Sequence, residues 1–152
     1  MIIAVGCDHG GFILKPAVID FFKGKAEILD CGIFSEVQSD YPDIAFEVAK
    51  TVSENAADVG VLMCGTGTGM AISANKFKGI RAGVCNDPEI ARLGKTHNNL
   101  NIICLGGRVL LPERAEAVLS AWFDASFEGG RHLTRINKIA AIESSTALTQ
   151  VQ

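Results

Sequence analysis

Short β-branched apolar runs alternate along this chain with longer amphipathic ones, and few folds accept that order. Residues 2–5, 27–29, 59–63, 80–84 and 101–105 read as five strands, each apolar on both faces. Residues 13–23, 44–55, 70–75, 88–96 and 112–124 read as helices, with Pro88 and Pro112 placed where a first helical turn tolerates proline. Doubly apolar strands separated by helices predict a parallel sheet covered on both sides. The expectation is a single Rossmann-like three-layer α/β domain over residues 1–147, with a five-stranded parallel sheet. A C-terminal helical segment over 133–145 carries Ile136, Ile139, Ala140 and Ile142, an apolar set suited to packing on another subunit. Residues 148–152 are expected to fray.

In open sheets of this kind ligands bind beyond the carboxyl ends of the strands. Chemistry-bearing residues collect there: Cys7-Asp8-His9 after the first strand, Cys64 after the third, Asn86-Asp87 after the fourth. The loop Cys64-Gly65-Thr66-Gly67-Thr68-Gly69 is the sharpest of these signals. Three glycines in five residues let backbone N–H groups turn towards one point, and the helix behind them adds partial positive charge, so the loop favours an anion. Thiolate, the reactive form of cysteine, is favoured beside such donors, which makes Cys64 a candidate base or nucleophile. Cys7 is its competitor. The alternative for either is a small buried hydrophobe at a strand end.

Nucleotide signatures do not fit. No Gly-Lys-Ser/Thr follows the loop, Met70 stands where a dinucleotide fingerprint needs glycine, and Asp8 puts negative charge where a pyrophosphate would lie in the rival Gly6–Gly11 turn. Asp8 and His9 can cap the helix that follows or bind sugar hydroxyls and phosphate. Arg131 and Arg135, four apart, would share one helical face, an arrangement that suits phosphate or a plain solvated surface. His97 at a helix end and Arg108 after Gly106-Gly107 are ambiguous by themselves.

A formal charge of −3 on 152 residues leaves no footprint for nucleic acid or an anionic membrane surface. Five cysteines, none in a C-x-x-C pair, argue against a disulfide scaffold or a zinc site. No apolar run reaches membrane-spanning length, and the short apolar start lacks a basic leader, so a cytoplasmic protein with reduced thiols is expected.

Taken together, Gly6-Cys7-Asp8-His9-Gly10-Gly11, Asp40-Tyr41-Pro42-Asp43, the Cys64–Gly69 block, Ala74-Asn75-Lys76, Gly79-Ile80-Arg81, His97-Asn98 and Gly129-Gly130-Arg131-His132 resemble the type B ribose-5-phosphate isomerases. These belong with the galactose-6-phosphate isomerase subunits in one sugar-phosphate isomerase family. The resemblance runs from the first strand to about residue 143. It implies conversion of ribose 5-phosphate to ribulose 5-phosphate through an enediolate, with no metal and no cofactor. Cys64 would be the base, the amides of Gly65, Gly67, Thr68 and Gly69 with Thr66 would hold the enediolate oxygens, and His97 would assist ring opening with Asp8 nearby. His9, Arg108, Arg131 and Arg135 would bind phosphate, and Asn98 a sugar hydroxyl. The resemblance also implies a homodimer or dimer of dimers whose active site is shared, with His97, Asn98 and Arg108 facing the partner's Cys64. The same chemistry on allose or galactose 6-phosphate, or a non-catalytic phosphate- or nucleotide-binding module, are the alternatives.

Overall fold

The computed structural model describes residues 1–149. Its sheet is parallel throughout, in the order β2-β1-β3-β5-β4, built from β1 (Ile2–Cys7), β2 (Glu27–Asp30), β3 (Val59–Cys64), β4 (Ala82–Val84) and β5 (Ile102–Gly106). Six helices accompany it: α1 (Lys15–Phe22), α2 (Tyr41–Ser53), α3 (Thr68–Ala74), α4 (Pro88–Asn98), α5 (Pro112–Phe123) and α6 (Arg131–Thr149). The three central strands alternate between two buried faces. Ile3, Val5, Val61, Met63, Ile103 and Leu105 pack with Val18 and Phe22 of α1 and Val118, Leu119 and Trp122 of α5. Ala4, Leu62, Cys64, Ile102 and Cys104 pack with Ile44, Val48 and Val52 of α2 and Met70 and Ala74 of α3. Full burial of such aliphatic side chains stabilises by about 1.5–3 kcal/mol each, so this double core holds the layers together.

Strand order reverses between β1 and β3, since β2 lies on one side of β1 and β3 on the other. That is the switch point, and its crevice opens at Cys7-Asp8-His9 and Cys64. Register carries β3 to the same level as its neighbours, Cys7 opposite Met63 and Cys64 opposite Gly106. Among the described residues no helix is long and apolar enough to cross a membrane.

Several boundaries differ from expectation for local reasons. Helix α2 starts at Tyr41, three residues early, because Pro42 is accepted within the first turn behind Asp40. Only residues 82–84 of the expected 80–84 strand pair with β5. Ahead of them, the Arg81 N–H donates to the Asn101 side chain at 2.7 Å, and the guanidinium donates to the carbonyls of Asn99 and Gly79. Helix α4 starts on Asp87, whose carboxylate accepts the N–H groups of Glu89 and Ile90, and it ends at Asn99, which adopts a left-handed φ of 48°. Helix α6 begins at Arg131, directly after Gly129 and Gly130 turn the chain with positive φ, and continues through Thr149. Of the stretch expected to fray, Leu148 and Thr149 fall within this helix, and 150–152 lie outside the described residues.

Candidate active site

Helix α3 cannot begin until the chain leaving β3 has reversed, and Gly67 makes that reversal with φ +84°. Its N–H is thereby directed at the Cys64 Sγ, 3.2 Å away. Next along the loop, the Thr68 N–H donates to Thr66 Oγ1 at 3.3 Å, and the Asn86 side chain bridges the Thr66 carbonyl and the Gly106 N–H. This bridge braces the glycine loop against the end of β5.

Cys64 opens onto a cleft of about 480 Å³ lined by Asp8, His9, Gly10, Tyr41, Gly65, Thr66, Gly69, Ile72 and Arg108. Asp8 is buried, and its carboxylate accepts the Gly11 N–H at 3.0 Å, so it organises the turn after β1 while facing the cleft. His9 accepts the Ser39 N–H on Nδ1 at 3.4 Å. The Arg108 side chain lies against Gly65, and the Arg108 backbone N–H donates to the Gly65 carbonyl at 2.9 Å. Arg108 thus stands beside its own chain's Cys64, a correction to the expectation that it faces the partner's. The cause is the β3–β5 register, which brings residues 106–108 alongside the glycine loop.

The remaining cysteines do not compete. Cys7 and Cys85 are shut in the core, and burial pushes each thiol up to about 11 from an ordinary value of 9.0. Burial also raises Cys104 and, to a lesser extent, Cys31.

A second group lies elsewhere. Helix α4 leaves the carboxyl edge of the sheet and runs back for 11 residues, about 16 Å, before β5 begins. His97 and Asn98, in its last turn, therefore sit at the amino edge, with the length of β5 between them and the Cys64 level. Helix α5 returns to the same edge, and the Glu128 N–H, just before α6, donates to the Thr96 carbonyl at 3.0 Å. There the His97 and His132 rings stack with centroids 4.2 Å apart and planes 6° from parallel, and the Glu128 carboxylate lies 3.8 and 3.7 Å from their Nε2 atoms. The Arg131 Nε donates to His132 Nε2 at 3.4 Å. Burial first, then His97 and Arg131, push His132 below the ordinary histidine value. Ligating atoms of His97, Glu128 and His132 fall within 4.8 Å of one another. Stacked rings, however, hold their lone pairs in parallel planes that do not meet at a common ion, and the His132 Nε2 lone pair already receives the Arg131 N–H. Arg131 and Arg135 belong to this same corner, four residues apart on α6.

Seven expected residues thus line one cleft, Gly67 directs its amide at the thiol, Thr68 starts the helix behind it, and four more sit at the far edge. Tyr41, Asn86, Glu128 and His132 went unassigned in the sequence. Tyr41 lay within a quoted motif, whereas nothing local singles out Glu128.

The likeness to known proteins is broad. A sequence model of the ribose/galactose isomerase family matches residues 3–139. The Escherichia coli protein named ribose-5-phosphate isomerase B is 46% identical over 142 residues, covering 93% of this chain and 95% of that one. A Pectobacterium atrosepticum protein named D-erythrulose-4-phosphate isomerase is 37% identical over 143 residues, covering 93% and 94%. The solved structure of Clostridium thermocellum ribose-5-phosphate isomerase B superposes with a TM-score of 0.94 at 43% identity, covering 96% of this chain and 99% of that one. With the fold and nearly the whole length in common, the chain belongs to the ribose/galactose isomerase family.

Proposed function

We propose that this protein is an aldose–ketose isomerase that interconverts ribose 5-phosphate and ribulose 5-phosphate, with Cys64 as the base. The observation that carries the reading is the Cys64 thiol, at the open end of a buried strand, within hydrogen-bond reach of a backbone donor and facing Asp8, His9 and Arg108. The Cys64 thiolate takes the C2 proton of the open-chain aldose, and the electron pair moves to the carbonyl oxygen O1. Amides of Gly65, Gly67, Thr68 and Gly69 receive that charge, the Gly67 and Thr68 N–H groups turning to it from Cys64 Sγ and Thr66 Oγ1 as the sulfur takes its proton, and such donors are worth about 10²–10³ in rate each. Thr66 passes the O2 proton to O1, and the Cys64 S–H returns its proton to C1. Balance is complete without any electron donor.

His9 and Arg108 hold the phosphate from one side. His97, Asn98, Arg131 and Arg135 lie at the opposite edge of the same sheet, so they complete a cleft only when a second copy brings its α4–α6 corner to this one. The proposed unit is a homodimer built from residues 1–147, or a pair of such dimers, in which the partner's His97 opens the furanose ring, its Asn98 meets a sugar hydroxyl and its two arginines close on the phosphate. Five free cysteines are in keeping with a cytoplasmic setting.

The test is turnover of ribose 5-phosphate in chelator-treated buffer, beside tetrose and hexose phosphates, with deuterium uptake from heavy water at the carbon next to the carbonyl. Cys64→Ala should abolish uptake and leave phosphate affinity intact. Undiminished uptake in that variant removes Cys64 as the base.

A further inference from the structure

We propose that Lys15 is a positioning residue for His9, acting through the 31–40 loop that it fastens to the end of β2; this rests on the reading that His9 meets the substrate phosphate. Lys15 begins α1 beneath the sheet's carboxyl edge and is buried at 7% exposure. A buried ammonium must be paired, and this one is held twice. Nζ lies 2.8 Å from Asp30 Oδ2 and donates to the Ile33 carbonyl at 2.7 Å, while the Phe34 ring centroid sits 4.7 Å away. Asp30, the last residue of β2, uses its other oxygen to accept the Gly32 N–H at 3.1 Å.

The loop is consequently fixed at its start by Lys15 and at its end by Tyr41, which opens α2 and lines the cleft. Between these points it passes His9, where the Ser39 N–H meets Nδ1. Ser39 does not hold itself there: its Oγ is buried with no hydrogen-bond partner among the described residues. Such an orphaned hydroxyl is unfavourable, so the fastened chain on either side imposes the position. With Nδ1 accepting, a neutral His9 carries its proton on Nε2, the nitrogen farther from the loop and the one able to donate to an anion. Lys15 thereby selects the tautomer without touching substrate.

The experiment compares wild type with Lys15→Met, Lys15→Arg and Ser39→Pro, the last removing the N–H donor directly from a loop with exposed neighbours. The imidazole ¹⁵N shifts of the three histidines report the His9 tautomer, inorganic phosphate titration reports anion capture, and ribose 5-phosphate kinetics report KM and kcat separately. Lys15→Met and Ser39→Pro should abolish the single Nε2–H tautomer of His9 and raise KM and the phosphate Kd about three- to tenfold, the loss of roughly one hydrogen bond. kcat should stay within about twofold, and Lys15→Arg should restore the tautomer. A folded Lys15→Met protein with an unchanged His9 spectrum and phosphate Kd overturns the proposal. Should Lys15→Met fail to fold, Ser39→Pro with both readouts unchanged does the same. If wild type fails to turn over ribose 5-phosphate, the isomerase reading falls, while the spectra and phosphate titration still decide the role of Lys15.

Discussion

Two inactive versions of this protein should make an active one. Cys64→Ala removes the proposed base, and a positioned base is worth about 10²–10⁴ in rate. His97→Asn removes the proposed ring-opening group. Strand β5 and its register place these residues at opposite ends of the sheet: Cys64 is level with Gly106, whereas His97 precedes Ile102. Five residues of strand span about 16 Å, too far for both side chains of one chain to meet a five-carbon sugar. In a twofold dimer each cleft takes Cys64 from one copy and His97 from the other. A mixed dimer then holds one cleft lacking both groups and one lacking neither. Random reassortment of equal amounts makes about half the dimers mixed, each with half its sites intact, so about one quarter of wild-type turnover should return. The assay is ribulose 5-phosphate formation after the variants are refolded together, against each refolded alone. Activity no greater than the sum of the separate variants refutes the shared site and the sheet-length argument behind it.

Three other outcomes follow from particular contacts. Cys7 and Cys85 have folded-state pKa values raised from 9.0 to about 11, so the stability each contributes is complete below about pH 9 and lost as pH rises to about 11; at most this is about 2–3 kcal/mol per thiol. Urea midpoints should therefore fall from pH 9 to 11, and a Cys7→Ala/Cys85→Ala protein should show a flatter decline. A methyl at Gly69 would sit 2.7 Å from the Tyr41 ring, and the half-exposed ring can swing away, so Gly69→Ala should keep its melting temperature while kcat/KM falls about tenfold. Arg135→Ala should raise KM for ribose 5-phosphate about tenfold with a smaller change in kcat, since phosphate contacts chiefly bind and orient the substrate.

How much of this was legible in the sequence follows the range of the forces involved. The five strands and their covering helices are written in apolar periodicity, and the ends that shifted did so where proline, a left-handed asparagine, a pair of glycines or the Arg81–Asn101 contact intervenes. The Cys64 loop was legible for the same reason, because strand, glycines and helix are consecutive. Arg108 was misplaced because its surroundings are set by pairing of β3 with β5, across more than forty residues of chain. Glu128 was invisible because its contact with His97 depends on α4 and α5 returning to one edge.

The proposed division of the site follows from the topology. In a parallel sheet every strand ends at the same edge, so groups placed directly after strands converge, and groups placed where a covering helix ends, or just beyond it, are carried to the other edge. Cys64, Asp8, His9 and Arg108 are of the first kind; His97, Arg131 and Arg135 are of the second. A sugar phosphate needs both a base at one end and cations and a proton donor along its length. One copy of this fold cannot bring its two edges together, whereas two copies can set unlike edges side by side. Lengthening α4 by one turn would carry His97 about 5.4 Å farther along the helix axis and should disable the shared cleft while leaving each fold intact.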